Sequence, residues 1–173
     1  MARHTTASLV RTNGERTSAG TCAEDAHTDG KAVERARGLS EDAEIHTFEV
    51  FDENEDFLRK WFEGSAYRDK IHLHIGDALQ LVPQMQQRWD FAFIDADKRE
   101  YVAYYEMLLP LMSPGGFIVA DNTLWYGHVL EHPKDSDMQT RGVQDFNDLV
   151  AKDSRVEKVI LPLRDGLTII RVK

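Results

Sequence analysis

"FAFIDADKREYVAYYE", residues 91–106, decides the fold. Together with Trp89 and Asp90 it opens on an almost wholly apolar run, as expected of a strand buried on both faces of a parallel sheet. The run stops at Asp95 and Asp97, Lys98 follows, and residues 100–112 read as a helix. A strand therefore hands over to a helix at an Asp-Ala-Asp. Three readings of that junction stand side by side: a metal site, a phosphate-transfer nucleophile, or the polar end of a buried strand.

Working outward, strand and helix signals alternate. Upstream, "EIHTFEV" (44–50) reads as a strand and "DENEDFLRKWFEGS" (52–65) as a helix. Asp52 is expected to N-cap that helix, with Glu55 completing a capping box. Phe57, Leu58, Trp61 and Phe62 are expected on one helical face. "KIHLHIGDA" (70–78) places Ile71, Leu73 and Ile75 on one side of a strand, and residues 79–88 form a short helix or turn. Downstream, "SPGG" (113–116) is expected to end the helix in a turn. "FIVADN" (117–122) is a second buried strand, and residues 140–152 a helix with Val143, Phe146, Leu149 and Val150 in register. "VEKVILPLRDGLTIIRVK" (156–173) is a hairpin. The pattern implies an α/β fold with a doubly wound sheet, mostly parallel and closed by a C-terminal antiparallel hairpin.

Such sheets bind ligands at the carboxyl ends of their strands. Asp77, Asp95, Asp97, Asp121 and Asn122 all fall at strand ends. If the strands ending in Asp95 and Asp121 are neighbours, about 4.8 Å apart, then Asp95, Asp121 and Asn122 can meet around one cation. Two carboxylates and an amide carbonyl are hard donors, suited to Mg²⁺ or Ca²⁺. The plainer reading is that each acid caps the next helix or faces solvent. Lys98 is either a surface lysine or, beside a dication, a group that gives up its proton more readily and serves as a base. Glu49, at the end of its strand, fits an acid that holds ribose hydroxyls. His72 and His74 share the face opposite the aliphatics and read as structural. No metal site is expected at His128 and His132. Trp125 and Tyr126 either pack over the sheet end or form a flat wall for an aromatic substrate.

The 173 residues carry a net charge of −9, which argues against nucleic-acid binding. No apolar run approaches the ~20 residues of a membrane span. The single cysteine, Cys22, excludes an internal disulfide. The N-terminus lacks the apolar core of a signal peptide, so a cytoplasmic setting is expected.

"FAFIDADKREYVAYYE" with "PGGFIVADNTLWYGHVL" resembles the cation-dependent O-methyltransferases of the catechol and caffeoyl-coenzyme A type. "IHTFEV", "IHLHIGDAL" and the C-terminal "FNDLVAKDSRVEKVILPLRDGLTIIR" extend the resemblance over residues 36–173. It implies a Rossmann-like methyltransferase sheet, S-adenosylmethionine as methyl donor and a divalent cation, Mg²⁺ or Ca²⁺. It assigns Asp95, Asp121 and Asn122 to the metal and Lys98 to the general base. Glu49 is assigned to the cofactor ribose, and Ala78 and Asp97 to other parts of the cofactor. The implied acceptor is a catechol-like aromatic diol, chelated by the metal and deprotonated with help from Lys98 before methyl transfer. The family's usual dimer is the expectation for assembly. Tyr126 stands where plant members carry Asn.

Residues 1–35 depart from this pattern. They are rich in Thr, Gly, Arg and Asp, without sustained periodicity, and composition predicts weak order. The family's hydrophobic strand and E-x-G-T-x-x-G cofactor loop are expected before residue 36. Gly20, Thr28 and Gly30 do not restore that loop, and residues 7–11 are the only replacement for the central first strand. A shifted reading frame would account for the change of character. Two rival functions follow: a truncated, non-catalytic relative with poor cofactor binding, and a haloacid dehalogenase-type phosphatase using the first Asp of D-x-D as nucleophile. The second is disfavoured because strands precede the motif.

Overall fold

The computed structural model describes residues 6–11, 43–134 and 136–173. Most of the N-terminal segment, including Gly20, Cys22, Thr28 and Gly30, lies outside the described residues. The chain divides into two compact units, Met1–Asp90 and Phe91–Lys173.

In the first unit the strands run in the order β3-β2-β1. β2 (Glu44–Glu49) and β3 (Ile71–Ile75) are parallel, with His46 opposite His72 and Glu49 opposite Ile75. β1 (Thr6–Arg11) takes the other side of β2, so the stretch expected as a replacement strand does pair there. It runs antiparallel, with Thr6 opposite Glu49 and Arg11 opposite Glu44. Leu9 is fully buried and joins Ile45, Phe48 and Trp89 among the unit's buried side chains.

The helix between β2 and β3 differs from expectation in two ways. It starts as a 3-10 turn over Asp52–Asn54, and α1 proper covers Glu55–Glu63. No side chain caps either start. Glu55 reaches forward to Arg59 Nε at 2.7 Å rather than back to close a capping box. The apolar stripe also splits. Leu58 and Phe62 are buried, whereas Phe57 and Trp61 are exposed and stack with centroids 6.3 Å apart. At 3.6 residues per turn the four positions span about 140°, and packing on one side covers only half of that arc. α2 (Ala78–Leu81) and a 3-10 turn over Val82–Met85 form the short segment before β4 (Trp89–Asp95), which crosses the boundary between the units.

In the second unit the order is β4-β5-β7-β6. α3 (Tyr101–Leu108) follows β4 and buries Tyr101, Tyr104, Tyr105 and Leu108. β5 covers Met112–Asp121, so "SPGG" begins a strand and does not terminate the helix in a free turn. Gly115 there takes φ +80°, and pairing with β7 begins two residues on, at Phe117. α3 itself ends earlier, through a 3-10 turn at Leu109–Leu111 containing Pro110. α4 (Met138–Lys152) starts at Asp137, whose carboxylate accepts from the Thr140 N–H at 3.1 Å and the Thr140 hydroxyl at 2.7 Å. Its Val143, Phe146 and Val150 are buried, with Phe146 edge-on to Tyr101 and Tyr105. β6 (Val156–Leu161) and β7 (Leu167–Val172) form the expected antiparallel hairpin, and β7 pairs antiparallel with β5. The α/β sheet is mixed, with the expected antiparallel hairpin at its C-terminal end and an antiparallel β1.

Candidate active site

β4 and β5 are neighbours, and their carboxyl ends carry Asp95, Asp121 and Asn122. Asp97 caps the single 3-10 turn that follows β4, accepting from the Arg99 N–H at 3.0 Å. That turn swings Lys98 back over the strand ends. Lys98 is only 4% exposed, and a buried ammonium persists only among acceptors. Its Nζ donates to Asn122 Oδ1 at 3.2 Å and to the Asp121 main-chain carbonyl at 3.3 Å, and lies 3.6 Å from Asp95 Oδ1. Two of the three side-chain oxygens expected to hold a cation, those of Asp95 and Asn122, thus lie beside one positive group, to which Asp121 adds its main-chain carbonyl. The Asp121 carboxylate itself accepts from the Asn122 N–H at 2.8 Å.

Tyr101 completes the cluster and was not singled out from sequence. Its hydroxyl accepts from Lys98 Nζ and donates to the Asp121 carbonyl at 2.9 Å. Burial, then the nearby Asp95 and Asp121 charges, push its phenol well above the ordinary tyrosine range, so it keeps its proton. The spacing "KREY" held the signal, since residues three apart meet on one helical turn. α4 supports the same turn: Gln139 accepts from the Lys98 N–H at 3.1 Å. A Cβ on Gly142 would lie 2.3 Å from the Lys98 carbonyl oxygen and 2.8 Å from Arg99 Cα. Only glycine permits that approach.

The loop after Asn122 is bent. Asn122, Trp125 and Tyr126 take φ of +56°, +47° and +52°, a region costly for side-chain-bearing residues. The β6–β7 turn clamps it. Thr123 and Leu124 donate to the carbonyls of Gly166 and Asp165, at 3.1 and 2.9 Å. The Thr168 and Thr123 hydroxyls are 2.8 Å apart, and Asn147 donates to the Thr123 carbonyl at 2.8 Å. Trp125 is thereby held with its ring centroid 5.9 Å from Lys98 Nζ. Tyr126 is 79% exposed.

The remaining candidates sit elsewhere. The Asp97 carboxylate is engaged by the Arg99 guanidinium. That pairing holds it below the ordinary carboxylate range, against the opposing effect of burial. In the first unit, Glu49 is buried at the end of β2 and accepts from the Phe51 N–H at 3.0 Å. Ala78 is buried at the start of α2, after Gly76 (φ +137°) and the capping Asp77, whose carboxylate accepts from the Leu79 N–H at 2.9 Å. His128 pairs with Glu131 at 3.0 Å, a carboxylate partner the sequence reading did not give it.

The family described as O-methyltransferase matches residues 26–173. The chain is 39% identical over 148 residues to a maize (Zea mays) protein named caffeoyl-CoA O-methyltransferase 2, covering 79% of this chain and 56% of that one. Its fold matches the Bacillus cereus O-methyltransferase solved with SAH, at TM-score 0.77 and 30% identity, covering 83% of this chain and 69% of the other. It also matches TomG of Streptomyces achromogenes, an O-methyltransferase involved in tomaymycin synthesis and solved with SAM. That match has TM-score 0.77 and 25% identity, covering 83% and 68%. The chain spans about three fifths of the length of the curated relatives it matches. No helix among the described residues is long and apolar enough to cross a membrane. With the family match over residues 26–173 and the shared α/β fold, the chain belongs to the O-methyltransferase family.

Proposed function

We infer that this chain is an S-adenosylmethionine-dependent O-methyltransferase that uses a divalent cation and acts on an aromatic vicinal diol. The carrying observation is the convergence of Asp95 Oδ1, Asn122 Oδ1 and the Asp121 carbonyl on Lys98 Nζ, within 3.2–3.6 Å. Hard oxygens gathered tightly enough to solvate one buried ammonium fit a Mg²⁺-type ion, with Asp95, Asp121 and Asn122 as its residues. When bound, such an ion acidifies and positions the acceptor hydroxyl. S-adenosylmethionine supplies the electrophilic methyl group, with Glu49, Ala78 and Asp97 as its contacts.

The chain's own residues do the rest. Lys98 Nζ holds or receives the acceptor's proton, and Tyr101 fixes where that Nζ points by accepting from it while anchored to the Asp121 carbonyl. Gln139 and Gly142 hold the Lys98 backbone from behind. Trp125, fixed by the β6–β7 turn, supplies a flat apolar surface beside Lys98. Tyr126 is the exposed rim of that wall.

A second reading has its own support. β1 runs antiparallel to β2, so its C-terminal residue Arg11 lies opposite Glu44, at the rim away from Glu49. A cofactor loop following such a strand would leave from the wrong rim. That favours a relative that holds a cation but binds cofactor weakly. Calorimetric titration of S-adenosylmethionine, with and without Mg²⁺, separates the two. Saturable binding near one per chain supports the enzyme; no heat at millimolar cofactor supports the weak binder.

A further inference from the structure

The first unit carries a histidine cluster that methyl transfer does not use. Glu44 and His46 are two apart on β2, and His46 lies opposite His72 on the parallel neighbour β3. Alternation along strands puts all three on one sheet face. One ligand atom from each lies within 4.8 Å of the others. His46 Nε2 is 3.8 Å from Glu44 Oε2.

We propose that Glu44, His46 and His72 form a second metal site, chemically distinct from the oxygen cluster, that takes a borderline transition dication such as Zn²⁺ or Co²⁺. Two imidazoles and one carboxylate are the donors these ions prefer, and Mg²⁺ does not compete well for them. The Nε2 atoms of His46 and His72 are both buried, and neither has a hydrogen-bond partner. Buried polar atoms are rarely left so, and one ion would satisfy both.

His46 is also aimed. Its Nδ1 lies 2.9 Å from His74 Nε2, and with Nδ1 as donor the Nε2 lone pair points towards Glu44. A second nitrogen engaged in this way is the usual arrangement behind a ligating histidine. Its ring stacks on His72 and His74, with centroids 4.8 and 5.1 Å away, and meets the Trp89 edge at 5.1 Å. Ligands 2.0–2.1 Å from zinc lie about 3.4 Å apart in a tetrahedron. Closure needs the His72 ring to turn out of its stack on His46, so that both ring planes meet at the ion, with water as fourth ligand.

The test is a Co²⁺ titration of metal-stripped, untagged full-length protein in excess Mg²⁺, read by visible absorption. The expected result is one Co²⁺ per chain with the intense bands of a four-coordinate histidine site, unaffected by Asp121→Asn. His46→Gln and His72→Gln should each abolish the bands, and Glu44→Gln should weaken binding by about tenfold or more. Zn²⁺ should raise Tm in the parent and not in His72→Gln. Should His46→Gln fail to fold, Glu44→Gln at the strand start still decides. Bands that persist in His72→Gln and Glu44→Gln would overturn the site, since the ion would then sit on other residues. So would absence of Co²⁺ uptake in Mg²⁺.

Discussion

Lys98 is the residue on which the catalytic reading turns. It is buried to 4% exposure, with its ammonium shared among Asn122, Asp121 and Tyr101 beside Asp95, an arrangement that fits the proposed role in proton transfer. Lys98→Ala should lower kcat by roughly 10²–10⁴-fold, the usual worth of a positioned acid–base group, while S-adenosylmethionine affinity changes little. Parallel kcat measurement and calorimetry check this. Tyr101→Phe removes the hydroxyl between Lys98 and the Asp121 carbonyl. It should cost about 1–3 kcal/mol in urea denaturation, because two buried polar groups lose a partner, and lower kcat more than it raises KM. Asp95, Lys98, Asp121 and Asn122 were legible as candidates, because polar and charged groups at the ends of apolar strands stand out. Tyr101 was hidden because a tyrosine inside "YVAYYE" looks like core, as its neighbours Tyr104 and Tyr105 are.

At the scale of elements, α4 and the β6–β7 hairpin carry the site without contributing to its chemistry. Gly142 lets α4 lie against the Lys98–Arg99 backbone. Gly142→Ala should destabilise by about 1–3 kcal/mol through overpacking and reduce activity by displacing Lys98, measured as Tm and kcat together. The same helix ends at Asp153, whose carboxylate is held well below its ordinary range. The Arg155 side chain is the main cause, followed by the Arg155 N–H and the Tyr105 hydroxyl at 2.9 Å, against burial. Glu106 also faces Arg155, at 3.5 Å. A depressed carboxyl contributes stability that is present above the unfolded value near about 3.9 and lost as pH falls through the lower folded value. Tm should therefore drop steeply below about pH 4, and Asp153→Asn should flatten that limb. Element types were legible from periodicity, but direction was not. Residues 7–11 read as a strand, yet nothing local says that β1 runs antiparallel. "SPGG" likewise carries turn chemistry, and only the ladder with β7 starting at Phe117 draws it into β5.

On the scale of the whole chain, family membership rests on residues 26–173, and the reading of activity on what those residues gather. The strand-end oxygens, Lys98 and Trp125 all lie in the second unit, whereas Glu49 and Ala78 belong to the first. Cofactor handling is therefore the property that composition and motif reveal least. The expected cofactor loop falls in a stretch whose sequence follows no periodic pattern, while the proposed cation site follows from charges written into the strand ends. The most direct measurement is transfer of a labelled methyl group from S-adenosylmethionine to a catechol, run in Mg²⁺ and in EDTA for the parent chain and Asp121→Ala. Methylated catechol is expected in Mg²⁺, with a loss to background both in EDTA and in the variant. Transfer that proceeds equally in EDTA, or none in Mg²⁺ with cofactor demonstrably bound, would contradict the proposed function.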